Sequence, residues 1–181
     1  MKRRSFLKSA AAMLPLAGFD PRAIADAPPL TEGHVIGAGE DRLGEMHSRG
    51  NSTILFKVLP RETAGGLFVI EHINLIHGGP PFHMHPHQEE YFFVIAGEVR
   101  FALGDQRLVV KGGESVLGPR GVPHTFAAVE GKPSHMLIAF SPAGKMEQFL
   151  RDTAVPNPPK QDGAFFRRYE MELIGPSPLA S

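Results

Sequence analysis

The chain has no cysteine, no net charge and no long hydrophobic run, and each absence removes a class of function. Without thiols there is neither a disulfide framework nor a thiolate ligand, so any bound metal must be held by imidazole and carboxylate; structural zinc of the cysteine type and iron–sulfur clusters are excluded. Nineteen Lys and Arg balance nineteen Asp and Glu. No broad basic surface is left to neutralise phosphates, and nucleic acid is excluded as a partner. No apolar stretch approaches the ~20 residues that span a bilayer, so no stable membrane anchor is expected. No internal repeat is visible. A length of 181 residues suits one domain with one core.

Turn formers are plentiful instead. Twenty Gly and 17 Pro separate short apolar runs, the pattern of an all-β domain. The β-type runs are Thr53 to Leu59, Leu67 to Ile76, Tyr91 to Ile95, Glu98 to Leu103, Arg107 to Lys111, Ser115 to Leu117, Thr125 to Val129 and Met136 to Phe140. Eight such runs fit a closed or double-sheet barrel better than a βαβ fold. Gly104-Asp105 is placed to make a hairpin turn. A single helical pattern covers Lys145 to Thr153, where Met146, Phe149 and Leu150 recur on one face; it reads as a structural strap. The Pro-rich stretch from Val155 to Gly163 leads to an extended piece around Phe165 to Leu173.

The N-terminus reads as an export signal, of the twin-arginine type or an ordinary Sec signal, with a short uncleaved anchor as the weakest reading. Lys2, Arg3 and Arg4 precede a weakly apolar stretch from Leu7 to Phe19, and Ala23-Ile24-Ala25 is a small-x-small cleavage site. Arg3-Arg4-Ser5-Phe6-Leu7-Lys8 resembles the twin-arginine motif, which implies export of a folded protein to the periplasm. The expected division is a signal peptide over 1–25, a polar leading arm over 26–49 with a short strand at His34 to Ile36, a barrel over 50–143, and a C-terminal helix and tail over 144–181.

Three of the nine histidines fall between Phe82 and Glu90 in the string F-H-M-H-P-H-Q-E-E. Residues two apart on a strand share a face, so His83 and His85 can aim at one ion. Glu90 has the wrong parity to continue that face. Pro86 resolves this by breaking the ladder, after which Glu90 opens a new strand facing the same interior. A tight turn, Pro119-Arg120-Gly121-Val122-Pro123, can deliver His124 as a third imidazole. Three nitrogens and one oxygen suit a single divalent transition metal, Fe, Mn, Ni, Co, Cu or Zn, with coordination positions left for water or substrate. His87 and Glu89 adjoin the ligands but are equally placed to face solvent. His34, His47, His72, His77 and His135 show no partner in the sequence and are read as structural or surface residues.

These residues resemble the two motifs of the cupin superfamily. His83, His85, Glu90 and Gly97 stand at the spacing of G-x5-H-x-H-x3-4-E-x6-G, although its leading glycine is displaced. Gly113, Pro119, Gly121 and His124 match G-x5-P-x-G-x2-H-x3-N, with Ala128 in place of the final Asn. The resemblance covers about Leu67 to Phe140 and implies a double-stranded β-helix, or jelly-roll, barrel with one short C-terminal helix. Gly79 to His85, Glu90 to Gly97 and the tail from Tyr169 to Pro176 look most like single-domain cupins similar to quercetin dioxygenase. That resemblance implies a metal-dependent oxygenase, with Glu90 both ligand and catalytic general base. The fold also hosts isomerases, lyases and non-catalytic binding proteins.

With Glu90 inward, Phe92 and Val94 share its face, as Phe126 and Ala128 share that of His124, so the pocket is expected to be apolar and to take a small hydrophobic or aromatic molecule. Tyr91, Phe93 and Ile95 then form an outward apolar face, and a homodimer is expected. For export, changing both Arg3 and Arg4 to Lys should leave the precursor in the cytoplasm, as read by cell fractionation. Undiminished export of that variant would overturn the twin-arginine reading.

Overall fold

Strict alternation of buried and exposed side chains sets the sheets. In the strand Glu89–Ala96, Glu90, Phe92 and Val94 point inward at 4%, 1% and 0% exposure while Tyr91 and Ile95 face out at 42% and 39%. A computed structural model describes residues 32–49, 52–129 and 131–179. The signal peptide expected over 1–25 lies outside the described residues.

The strands are β1 (His47–Arg49), β2 (Ser52–Val58), β3 (Phe68–Leu75), β4 (Phe82–Met84), β5 (Glu89–Ala96), β6 (Glu98–Leu103), β7 (Gln106–Lys111), β8 (Ser115–Gly118), β9 (His124–Ala128), β10 (Ser134–Ser141) and β11 (Glu172–Gly175); the helices are α1 (Met146–Thr153) and α2 (Gly163–Arg168). One sheet runs β1-β2-β3-β10-β5-β8 and the other β11-β4-β9-β6-β7. Every pairing is antiparallel. The result is the all-β, double-stranded β-helix architecture. Gly104 and Asp105 make the two-residue turn between β6 and β7, with Gly104 at φ 53°.

The core fills the space between the sheets. Phe92 of the first sheet meets Phe101 and Phe126 of the second at ring separations of 5.0 and 5.6 Å, edge to face. Phe56, Phe68 and Phe140 make a second stack within the first sheet's inner face. Removing one such ring from water stabilises the fold by roughly 1.5–3 kcal/mol.

Four features differ from the sequence expectation. No strand forms at His34 to Ile36, where Val35 is 97% exposed and pairs with nothing that would pleat it. The last three residues of the leading arm instead form β1 and pair with β2. The three-residue β4 was absent from the expected runs, being too short to show a period of its own. In place of an extended piece over Phe165 to Leu173 stands a second helix, α2, started by Asp162, whose side chain accepts from Phe165 N–H at 3.0 Å. Phe165, Phe166 and Tyr169 are buried by that turn, and β11 follows as the edge strand beside β4.

The loop entering β4 lies hard against β9. A Cβ on Gly79 would come within 1.7 Å of the Phe126 carbonyl oxygen, so only glycine permits this approach. Thr125 Oγ1 donates to Pro80 O at 2.6 Å and secures the contact. Gly79→Ala should therefore destabilise the protein by about 1–3 kcal/mol in urea titration, whereas Gly175→Ala should stay within ~0.5 kcal/mol, because nothing lies within 4 Å of its Cβ position.

Candidate metal centre

Each of the four expected ligands is delivered by a different local device. His83 is the central residue of β4 and faces inward, flanked by half-buried Phe82 and Met84. His85 follows just past the strand end, before the bend at Pro86 and His87. Glu90 comes from β5, in the opposite sheet. His124 opens β9 directly opposite His83 in the ladder. Gly121, at φ 74°, makes the preceding turn, and its N–H donates to His85 O at 2.9 Å, tying the two histidine-bearing segments together.

The side chains converge. One ligand atom from each of His83, His85, Glu90 and His124 lies within 4.8 Å of the other three, and all four residues are buried. His85 Nε2 lies 3.2 Å from His83 Nε2 and 3.2 Å from Glu90 Oε2, and His124 Nε2 lies 2.9 Å from the same oxygen. The Nδ1 atoms of His83 and His124 lie 2.9 and 3.0 Å from the carbonyls of Pro81 and Val122. A carbonyl can only accept, so both Nδ1 atoms carry protons and both Nε2 atoms are turned to the centre of the cluster. That orientation suits a cation, and the four residues could hold one.

The electrostatics agree. Burial pushes the His83 imidazole down to about 3, helped by the neighbouring His124 and His85, so it is neutral. Burial by itself would raise the Glu90 carboxyl, but the bonds from His124 and His85 outweigh it and hold the group far below the ordinary carboxylate range. For His124, burial works downward and the bond to Glu90 more than reverses it. An ionised carboxylate and a neutral imidazole are the ligating forms, so a cation here would compete with protons.

His83 and Glu90 also line a cavity of about 280 Å³. Its walls are mostly apolar, with Ile70, Phe126, Ile138 and Phe140 from the barrel and Phe149 and Leu150 from α1. The helix is thus a wall of the cavity as well as a strap. Of the pocket residues expected from strand parity, Phe126 lines it; Phe92, Val94 and Ala128 are packed into the core away from it. Much of the cavity wall comes from β2, β3 and β10, whose inward faces no motif marks.

Among the remaining histidines the structure gives two a new place. His72, 5% exposed, and His77 both line the cavity. His135 pairs with Glu71 at 2.6 Å, next to Lys57 at 3.0 Å, on the outer side of the sheet. His47 stacks on Phe56 at 4.3 Å, and His34 is exposed. His87 is exposed and Glu89 is paired with Arg120, so neither joins the cluster. Arg49 also lines the cavity and was not singled out by the sequence, because it lies 34 residues before the first ligand motif.

Two facing antiparallel sheets thus surround a cluster of three imidazoles and one carboxylate. Residues 73–140 match the family described as Cupin domain. Among solved structures, KdgF from Halomonas sp. is similar at 17% identity and a TM-score of 0.51, covering 62% of this chain and 94% of that one. A cupin-like protein from Thermotoga maritima is similar at 16% identity and a TM-score of 0.49, covering 71% and 79%. The polyketide cyclase RemF from Streptomyces resistomycificus is similar at 24% identity and a TM-score of 0.45, covering 51% and 66%. No curated protein sequence matches the chain.

His72 gives the cavity a pH-sensitive wall. Burial lowers its imidazole from 6.5 to about 4, with the charge of Arg49 adding to the effect. The unfolded chain takes up this proton below about pH 6.5 and the folded chain only below about 4, so stability falls as pH drops through that window. In chelator-treated protein, His72→Leu should reduce the stability lost between pH 7 and pH 5 by about 2 kcal/mol, measured by urea unfolding at both pH values. An unchanged pH slope would show that His72 is protonated alike in both states.

Proposed function

We propose that this chain is an exported, metal-dependent oxygenase acting on a small aromatic or hydrophobic molecule. One divalent transition metal is held by His83, His85, Glu90 and His124. The observation that carries this reading is the opening of a buried four-ligand cluster into an apolar cavity through two of its own ligands, His83 and Glu90. A bound Fe, Mn, Ni, Co or Cu ion would supply a site for substrate oxygen or O2 and the redox capacity for their reaction.

The protein's part is positional. The walls from β3, β10 and α1 exclude water and hold an apolar ring against the cluster. Glu90, kept ionised by His124 and His85, is a carboxylate on the cavity surface that can take a proton from a substrate hydroxyl. The outer face of the first sheet, with Tyr91 paired to Leu117 and both more than two-fifths exposed, is the proposed homodimer contact.

Elemental analysis of the protein purified from its exported compartment, with an oxygen electrode and a panel of catechols and flavonols, tests the proposal. Stoichiometric redox metal and substrate-dependent O2 uptake are expected. His83→Ala and His124→Ala should each lower metal occupancy by more than about tenfold while circular dichroism shows a folded barrel. Full occupancy in either variant would overturn the ligand assignment; zinc without O2 uptake would favour an isomerase, a lyase or a binding protein.

A further inference from the structure

The cavity contains one positive charge that the metal cluster does not use. Arg49, at the end of β1, lines the cavity together with His83 and Glu90. Its Nη2 donates to Gln161 Oε1 at 2.9 Å, and its guanidinium lies 5.9 Å from the ring centre of Phe149, which forms the adjoining wall. Among the described residues it has no carboxylate partner. Glu90, the carboxylate on the cavity surface, is committed to His124 and His85. Beside Arg49 in the same cavity is His72, 5% exposed, whose Nε2 has no hydrogen-bond partner among the described residues.

We propose that Arg49, with His72 beside it, recognises the carboxylate of a small aromatic acid bound in this cavity. A guanidinium drawn largely out of water calls for a counter-charge, and a planar carboxylate matches its fork of N–H donors. A single guanidinium without a lysine suits one carboxylate better than a phosphate. The cavity, about 280 Å³, is large enough to admit a small aromatic acid. Ile70, Ile138 and Phe126 are then in place to enclose the ring. The inference deepens the oxygenase reading by naming a substrate class, but the carboxylate contact itself requires no metal.

Isothermal titration with 3-hydroxybenzoate and with its methyl ester, on zinc-loaded and on chelator-treated protein, separates the two ideas. The acid should bind at least about tenfold more tightly than the ester, the factor expected of one charge-assisted hydrogen bond, and the preference should survive removal of zinc. In Arg49→Gln the preference should fall below about twofold with ester affinity unchanged, and Arg49→Lys should retain part of it because the charge remains. Thermal melts establish that both variants are folded; if only the Lys variant folds, its retained preference decides. Equal binding of acid and ester, a preference untouched by Arg49→Gln or equally lost in Arg49→Lys, or no acid binding up to about 5 mM would overturn the proposal. So would a preference that disappears with the zinc, since the metal would then be reading the carboxylate. A protein that retains no metal and still selects the acid through Arg49 would sink the metal assignment and leave this inference standing.

Discussion

Burying three imidazoles and a carboxylate between two sheets is the constraint on which the rest of this structure depends. An isolated carboxylate at 4% exposure would pay a heavy desolvation cost, and Glu90 is tolerated because two histidine nitrogens meet the same oxygen. Those nitrogens are aimed by backbone: the Pro81 and Val122 carbonyls fix two of the rings, and the Gly121 amide fixes the segment that carries the third. The cluster therefore joins both sheets, since Glu90 belongs to one and His83 and His124 to the other.

The C-terminal segment completes what the barrel leaves open. Helix α1 walls the cavity with Phe149 and Leu150, while α2 buries Phe166 with its ring 5.7 Å from that of His83. Strand β11 then pairs Leu173 with His83 itself, so the tail backs the strand that carries a ligand. A short strand such as β4 has few ladder bonds of its own, and edge cover on one side with β9 on the other holds it in register. All three C-terminal elements, α1, α2 and β11, lie outside the residues that match the family, yet they set the shape and rigidity of the site.

The four candidate ligands were legible because their spacing is a local property. Two imidazoles separated by one residue share a strand face, and Pro86 visibly breaks the ladder so that Glu90 can return to that face. The strand runs were legible for the same reason, to within a residue or two at most ends, because alternation is written in consecutive positions. Helix α2 was missed although its signal was present: Asp162 precedes a run with Phe165, Phe166 and Tyr169, but the prolines just before it drew the reading toward an extended chain. The cavity walls were misassigned. Parity correctly turned Phe92 and Val94 inward, but inward positions divide between the packed core and the cavity, and parity does not choose between them.

The amino-acid sequence by itself determined the fold class, the absence of thiolate chemistry and the identity of the candidate ligands, because composition, period and short spacing are all carried by neighbouring residues. Only the tertiary structure decided that Arg49, His72, Ile138 and Phe149 surround the same space as His83 and Glu90. Those residues are scattered over a hundred positions, and their meeting follows from strand order and from where α1 comes to rest. The ligands could be found by looking along the chain, but the character of what they face is a property of packing across it.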